Sequence, residues 1–263
     1  MDTSAMTVAA CAVLGAVSLI WVVSVKMRDA SIADIWWGPG FAVIAWTACG
    51  VTETPSTRLY LMTGLLTVWG LRLGGYLAHR NLGHGEDKRY VAMRGDSPHF
   101  WWAALFKVFY LQGLLQVVVS LPVFGVSQGS HGLNPFDFVG ALIAAVGIAY
   151  EAIADAQLAR FKALANSSGR VMRTGLWAWS RHPNYFGNAL IWLGIGVIGL
   201  AGGAPPWTML GPAVMWFLLL RVSGVAMLER TIVDRRPEYA QYIADVPAFV
   251  PRPPARHHGN QQE

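Results

Sequence analysis

At 263 residues the chain is long enough for one or two soluble domains, but 54% of it is hydrophobic and only 13% is charged, with a mean hydropathy of +0.39. Soluble domains carry about 25% charged residues, and 20 basic and 15 acidic side chains cannot cover this much apolar sequence in a water-facing fold. The net charge of +5 would also suit a nucleic-acid binder, but the basic residues fall where the loops of a membrane protein need them, so no nucleic-acid partner is expected.

A bilayer crossing needs about 20 predominantly apolar residues, because a helix rises about 1.5 Å per residue through a hydrocarbon core of about 30 Å. The first such run covers 5–25. No Lys or Arg precedes Lys26, so the basic leader of a cleaved signal peptide is missing and the run reads as a retained helix. The second run, 32–51, carries Asp34, Trp36 and Trp37. Cys11 and Cys49 lie inside these runs without partners at metal-ligand spacing and read as small core hydrophobes, so no metal is expected. The third run, 59–78, contains Trp69, Arg72 and Tyr76, with Gly70 and Gly74 suited to close helix packing. Loop three follows with Glu86-Asp87-Lys88-Arg89-Tyr90, a set that reads either as a solvated loop or as a grip on ribose, amide and phosphate.

The fourth run is 100–126 and the fifth 136–158. Glu151, Asp155 and Lys162 lie on one stripe of the fifth helix, which must face a polar cavity or other helices. Together with Asp34, Arg72, Lys107 and Arg221 they are ionisable groups at membrane depth, each costing about 2.5–3.5 kcal/mol unless partnered. Internal salt bridges to Arg72 or Arg221 and a functional site explain Glu151 and Asp155 equally well. Loop five holds Arg170 and Arg173 and runs into Arg181-His182-Pro183-Asn184-Tyr185. Pro183 suits the first turn of a helix, where free amides, the dipole and flanking arginines make an anion site; a plain interfacial helix start is the alternative. The sixth run, 185–200, includes Gly194, Gly196 and Gly199 at dinucleotide-motif spacing, but no strand precedes them, so packing is the better reading. The seventh run covers 207–227.

Charge supports this count. Loops one, three and five and the C-terminal segment carry 16 Lys and Arg, whereas the N-terminus and loops two, four and six carry only Arg58. That alternation predicts an all-α, polytopic integral membrane protein of seven helices, with the N-terminus outside and the C-terminus cytosolic. Residues 1–250 read as a single membrane-embedded domain, and 251–263, rich in Pro and His, as a disordered tail.

The stretch Gly175-Leu176-Trp177-Ala178-Trp179-Ser180-Arg181-His182-Pro183-Asn184-Tyr185-Phe186-Gly187 resembles the bacterial relatives of steroid 5α-reductase. The likeness extends to Glu86-Asp87-Lys88-Arg89-Tyr90, to Tyr150-Glu151-Ala152-Ile153-Ala154-Asp155-Ala156-Gln157-Leu158, and to Ser223-Gly224-Val225, Glu229 and Pro237-Glu238-Tyr239. It implies a bacterial inner-membrane enzyme that binds NADPH from the cytosol and reduces the conjugated C=C of a 3-oxo-Δ4 steroid or similar isoprenoid enone, held between helices. The family's cofactor site would fall on Arg72, Tyr76, Arg89, Glu151, Asp155, Lys162, Arg170, Arg173, Arg181, His182, Asn184, Tyr185, Asn188, Glu229 and Tyr239.

The catalytic end departs from the family. Pro39-Gly40-Phe41-Ala42-Val43 resembles a run in the mammalian enzymes that places their Gln-Glu pair on Trp36 and Trp37, and the helix-three register places their catalytic tyrosine on Trp69. Asp34, on the same helical face as Trp37, is the substitute candidate, with a structural pairing to Arg72 or Lys107 as its alternative. Reduction builds charge on the carbonyl oxygen and so requires a donor there, for which the indole N–H groups and a protonated Asp34 are the candidates. Trp36, Trp37, Trp69 and Phe41 would exclude water. The rival readings are a membrane S-adenosylmethionine-dependent methyltransferase of the isoprenylcysteine type, which has a similar Arg-His-Pro-Asn-Tyr element, and a non-catalytic sterol- or lipid-binding protein. No obligate protein partner is evident; the expected partners are the lipid-soluble enone and membrane lipid.

Overall fold

The computed structural model describes residues 2–95, 97–126, 132–165, 169–222, 229 and 236–253, and among these the chain is helical without strands. Among the described residues four helices are long and apolar enough to cross a membrane: α1 (Thr3–Met27), α5 (Phe100–Val119), α7 (Pro135–Lys162) and α8 (Pro183–Ala201). Between α1 and α5 lie α2 (Ile32–Val51), α3 (Thr57–Asn81) and a short helix α4 (Lys88–Arg94). A five-residue α6 (Leu121–Gly125) follows α5, α9 (Pro206–Val222) is a shorter apolar helix, and α10 is Glu238–Asp245. Of the expected seventh run, 223–227 lies outside the described residues, as does 254–263 of the expected disordered tail.

The boundaries follow from capping. Asp2 accepts a hydrogen bond from the Ala5 amide at 2.9 Å to start α1, and Ser56 Oγ accepts from the Leu59 amide at 3.1 Å to start α3. Arg28 ends α1 in the left-handed region at φ 55°. Asp87 caps α4 by accepting from the Arg89 amide at 2.9 Å.

The chain divides into two compact units, one comprising Met1–Leu142 and Gly194–Val214, the other Ile143–Leu193 and Met215–Glu263. In the first unit, α2 and α3 meet backbone to backbone: a Cβ on Gly38 would lie 2.6 Å from the Gly70 carbonyl oxygen, and one on Gly74 2.7 Å from Pro39 Cγ. Small residues permit that approach, and Phe41, Met62, Leu66 and Trp69 fill the core around it. Arg58, the one basic residue outside the charge alternation, is buried here, with its Nε and Nη2 donating to Asp137 at 2.6 and 2.7 Å. Its position reflects an internal ion pair and not a loop charge. Within α5 the turn widens to a π-helix over Leu105–Tyr110.

In the second unit, the described parts of α7 and α8 pack through Gly147 and Gly187, where a Cβ on Gly147 would lie 2.6 Å from the Gly187 carbonyl oxygen. Trp216 of α9 donates its indole N–H to the Ala189 carbonyl at 2.9 Å. Gly175, at φ 62°, opens a short 3-10 turn, Gly175–Ala178, whose Trp177 donates to the Ala154 carbonyl at 3.0 Å. The face of α10 carrying Tyr239 and Tyr242 packs with Val246 and Val171.

Candidate functional site

The second unit gathers a polar cluster at the start of α8. Arg181, immediately before the helix's first His-Pro step, donates from Nε and Nη2 to the two carboxylate oxygens of Glu229 at 2.7 and 2.9 Å. Its Nη1 donates to the carbonyls of Val246 at 2.6 Å and Ile243 at 3.1 Å, so four donors of the guanidinium fork are used and the side chain is only 8% exposed. His182 Nε2 donates to Glu229 Oε1 at 2.9 Å, and its ring stacks on Tyr185 with centroids 5.5 Å apart and planes 2° from parallel. The His182 amide donates to Ser180 Oγ at 3.1 Å, and Ser180 Oγ donates to the Phe249 carbonyl at 2.8 Å. Tyr242 donates its hydroxyl to the Trp177 carbonyl at 2.5 Å. The C-terminal segment is thereby tied to the loop that launches α8.

The electrostatics follow from these contacts. Burial alone would raise the Glu229 carboxyl, but the hydrogen bonds from His182 and Arg181 and the guanidinium charge bring it down to about 2. Burial beside that carboxylate pushes the Tyr239 phenol up to about 12.

Deeper along α8 and α7, Asn184 Nδ2 donates to Asp155 Oδ1 at 3.2 Å, and Glu151, Asp155 and Asn188 are all at least 95% buried. Asn188 Oδ1 is buried without a hydrogen-bond partner among the described residues, which is costly for an acceptor unless something else supplies a donor. Lys162 and Arg170 are exposed. Arg173 pairs with Asp245 and lies over the Tyr242 ring at 5.6 Å.

The first unit carries the remaining candidates. Asp34 accepts from Arg89 Nη2 at 2.6 Å and from the Tyr90 hydroxyl at 2.7 Å, which fastens α4 to the start of α2. This is a partnership with α4, where the sequence offered Arg72 or Lys107. Burial works against the charge on Arg89, but hydrogen bonding to Asp87 and the carboxylates of Asp34 and Asp87 hold its guanidinium above the usual range. Burial and the Asp34 charge push the Tyr90 phenol up. Each Asp34 oxygen thus accepts one hydrogen bond from α4.

Trp37, Phe41 and Trp69 form a continuous aromatic run, with centroids 5.2 and 5.5 Å apart. The Trp36 indole nitrogen is buried without a partner among the described residues. Arg72 and Tyr76 lie partly exposed on α3, and Arg80 sits over the Tyr76 ring at 5.8 Å. Gln116 of α5, fully buried, donates to the Trp37 carbonyl at 2.8 Å. Gly40 leaves the space for it, since a Cβ there would meet the Gln116 amide carbon at 2.7 Å.

The candidates thus group as Arg181, His182, Tyr185, Glu229 and Tyr239, then Asn184 with Asp155, then Asp34 with Arg89. Gln116, Ser180 and Tyr242 were not among the sequence candidates. A glutamine in the middle of an apolar run was the available signal for the first; Ser180 and Tyr242 offered none beyond their residue type.

No solved structure matches the chain. It is 28% identical over 268 residues to a Schizosaccharomyces pombe protein named "Uncharacterized protein C594.04c", an alignment covering 89% of this chain and 76% of that one. Residues 20–246, from within α1 to just past α10, match the family DUF1295, described as a protein of unknown function, and the chain therefore belongs to the DUF1295 family.

Proposed function

We propose that the protein is an NADPH-dependent reductase of a conjugated enone in a steroid or similar isoprenoid. We further propose that α1, α2, α3, α5, α7, α8 and α9 are its seven crossings, with the N-terminus outside and the C-terminus in the cytosol. The lengths of α2 and α3, 20 and 25 residues, suffice for a bilayer. Their Trp, Gly, Pro and Arg content lowers their hydropathy. The resemblance to steroid 5α-reductases supplies the reaction.

The observation that carries the cofactor assignment is the buried polar surface of the second unit. Asn188 Oδ1 lacks a donor among the described residues, and Glu151 and Asp155 are buried on the neighbouring helix. Such acceptors suit ribose hydroxyls and a carboxamide, while the exposed Arg170 and Lys162 suit phosphate. The residues present therefore fit a phosphorylated dinucleotide. Arg181, His182 and Glu229 act as positioning residues: with its donors engaged by Glu229 and two carbonyls, Arg181 shapes the site and leaves phosphate to the exposed cations. Arg173, Asn184, Tyr185 and Tyr239 of the same unit complete the proposed cofactor set.

NADPH, when bound, supplies the hydride. The protein's part in the chemistry is a donor at the carbonyl oxygen as charge grows there, and the Trp36 N–H, buried without a partner among the described residues, is the proposed donor. Phe41 and Trp69, fully buried in the α2–α3 core, back the part-buried Trp37, and together they exclude water. The test is NADPH oxidation by purified protein with a 3-oxo-Δ4 steroid. Turnover is expected; its absence with NADPH unbound, or binding of S-adenosylmethionine in its place, refutes the proposal.

A further inference from the structure

The outward face of α5 carries one cation that the reductase proposal does not use. Lys107 lies seven residues into a helix apolar enough to cross a membrane, about 10 Å from its start, and it is exposed. Its neighbours on that surface are Phe106, Leu111 and Leu114, 62%, 48% and 59% exposed, the composition of a lipid-facing stripe. No ion pair or hydrogen bond holds Lys107 among the described residues, whereas Arg94 nearby in sequence has Glu86 at 2.5 Å. An unpaired ammonium at this depth is costly.

The structure offers this ammonium somewhere to go. Lys107 lines a cavity of about 280 Å³ with Met93, Ser97, Phe100, Ala103 and Ala104. That lining contains no carboxylate; it holds one ammonium, one hydroxyl and apolar walls. The π-turn over Leu105–Tyr110 changes the register of α5 at this lysine, a distortion common at functional sites. A long lysine stem can run along an apolar wall while its head reaches the headgroup layer, where the available anion is a lipid phosphate.

We propose that this cavity is a binding site for the phosphate of an anionic phospholipid, with Lys107 as counter-ion, Ser97 as hydrogen-bond donor, and the Met93, Phe100 and Ala103 wall against the upper acyl chain. The site lies within the first compact unit and does not depend on the reductase reading.

The test is native mass spectrometry of the full chain released from phosphatidylcholine vesicles doped with phosphatidylglycerol. Wild type should retain phosphatidylglycerol about fivefold over phosphatidylcholine, as one basic side chain near an anionic surface gives. Lys107→Gln should lose that preference, Lys107→Arg should keep it and Ser97→Ala should weaken it. Unchanged retention in Lys107→Gln overturns the proposal. So does equal loss in Lys26→Gln, an exposed lysine at the end of α1, which would make the preference one of general surface charge. Displacement of the lipid by glycerol phosphate in the buffer also overturns it, since the site would then take free phosphate.

Discussion

Replacing Glu229 with glutamine keeps the shape of the clamp at the start of α8 and removes its charge. The carboxylate holds Arg181 at 2.7 Å and His182 at 2.9 Å, and the two ion-pair side chains are only 8% and 17% exposed. Moving a carboxyl from its ordinary 4.5 to about 2 corresponds to about 3 kcal/mol, which partial solvent contact reduces to about 2 kcal/mol. Breaking one side of a buried pair costs a similar ~3 kcal/mol, because the other charge stays buried. Glu229→Gln should therefore lower the melting temperature in detergent by about 5–10 °C and make the C-terminal segment more sensitive to protease. The pH dependence has a definite sign: the folded carboxyl titrates below its unfolded value, so its contribution is full above about 4.5 and is lost as pH falls toward about 2. The variant should lack that acid-linked loss. An unchanged melting temperature together with an unchanged acid profile between these values would refute the clamp.

Trp36→Phe should lower enone turnover by about 100-fold, as expected for loss of one donor to a developing oxyanion, while NADPH binding stays intact; steady-state kinetics beside a binding titration checks this. Asp137→Asn should destabilise the protein by about 3 kcal/mol in thermal melts, since it leaves the Arg58 charge buried, whereas a surface change at the half-exposed Arg173 should cost less than about 1 kcal/mol. Gly187→Val should abolish folded expression, because a Cβ there would lie 2.6 Å from the Glu151 amide nitrogen and 2.8 Å from the Gly147 carbonyl.

Long apolar runs carry their own boundaries, which is why 32–51 was legible in the sequence and coincides with α2. The expected runs 5–25 and 136–158 fall inside α1 and α7, which extend a few residues further because capping groups and charged last turns prolong a helix past its apolar part. Short amphipathic helices lack that signal. α4 lies within what the sequence read as loop three, bounded by Asp87 and Gly95, and α10 carries Tyr239 and Tyr242 three apart on one face. The π-turn in α5 is a change of hydrogen-bond register with no side-chain signature.

For the candidate site, the sequence marked Arg181, His182 and Asp34 as conspicuous polar groups but not their partners. Arg181 and Glu229 are 48 positions apart, and Asp34 and Arg89 are 55 apart. No local pattern encodes pairings at such distances. Arg181 turns inward to a carboxylate and two carbonyls, where its place in a basic loop suggested a phosphate, and Asp34 meets Arg89 and Tyr90 of α4.

The central claim is that the second unit holds a phosphorylated nicotinamide dinucleotide, and calorimetric titration of the purified protein with NADPH tests it most directly. Saturable binding, tighter than for NADH and weakened by both Asn188→Ala and Arg170→Ala, is the expected result. No heat of binding from a folded sample, or binding indifferent to both substitutions, would contradict it.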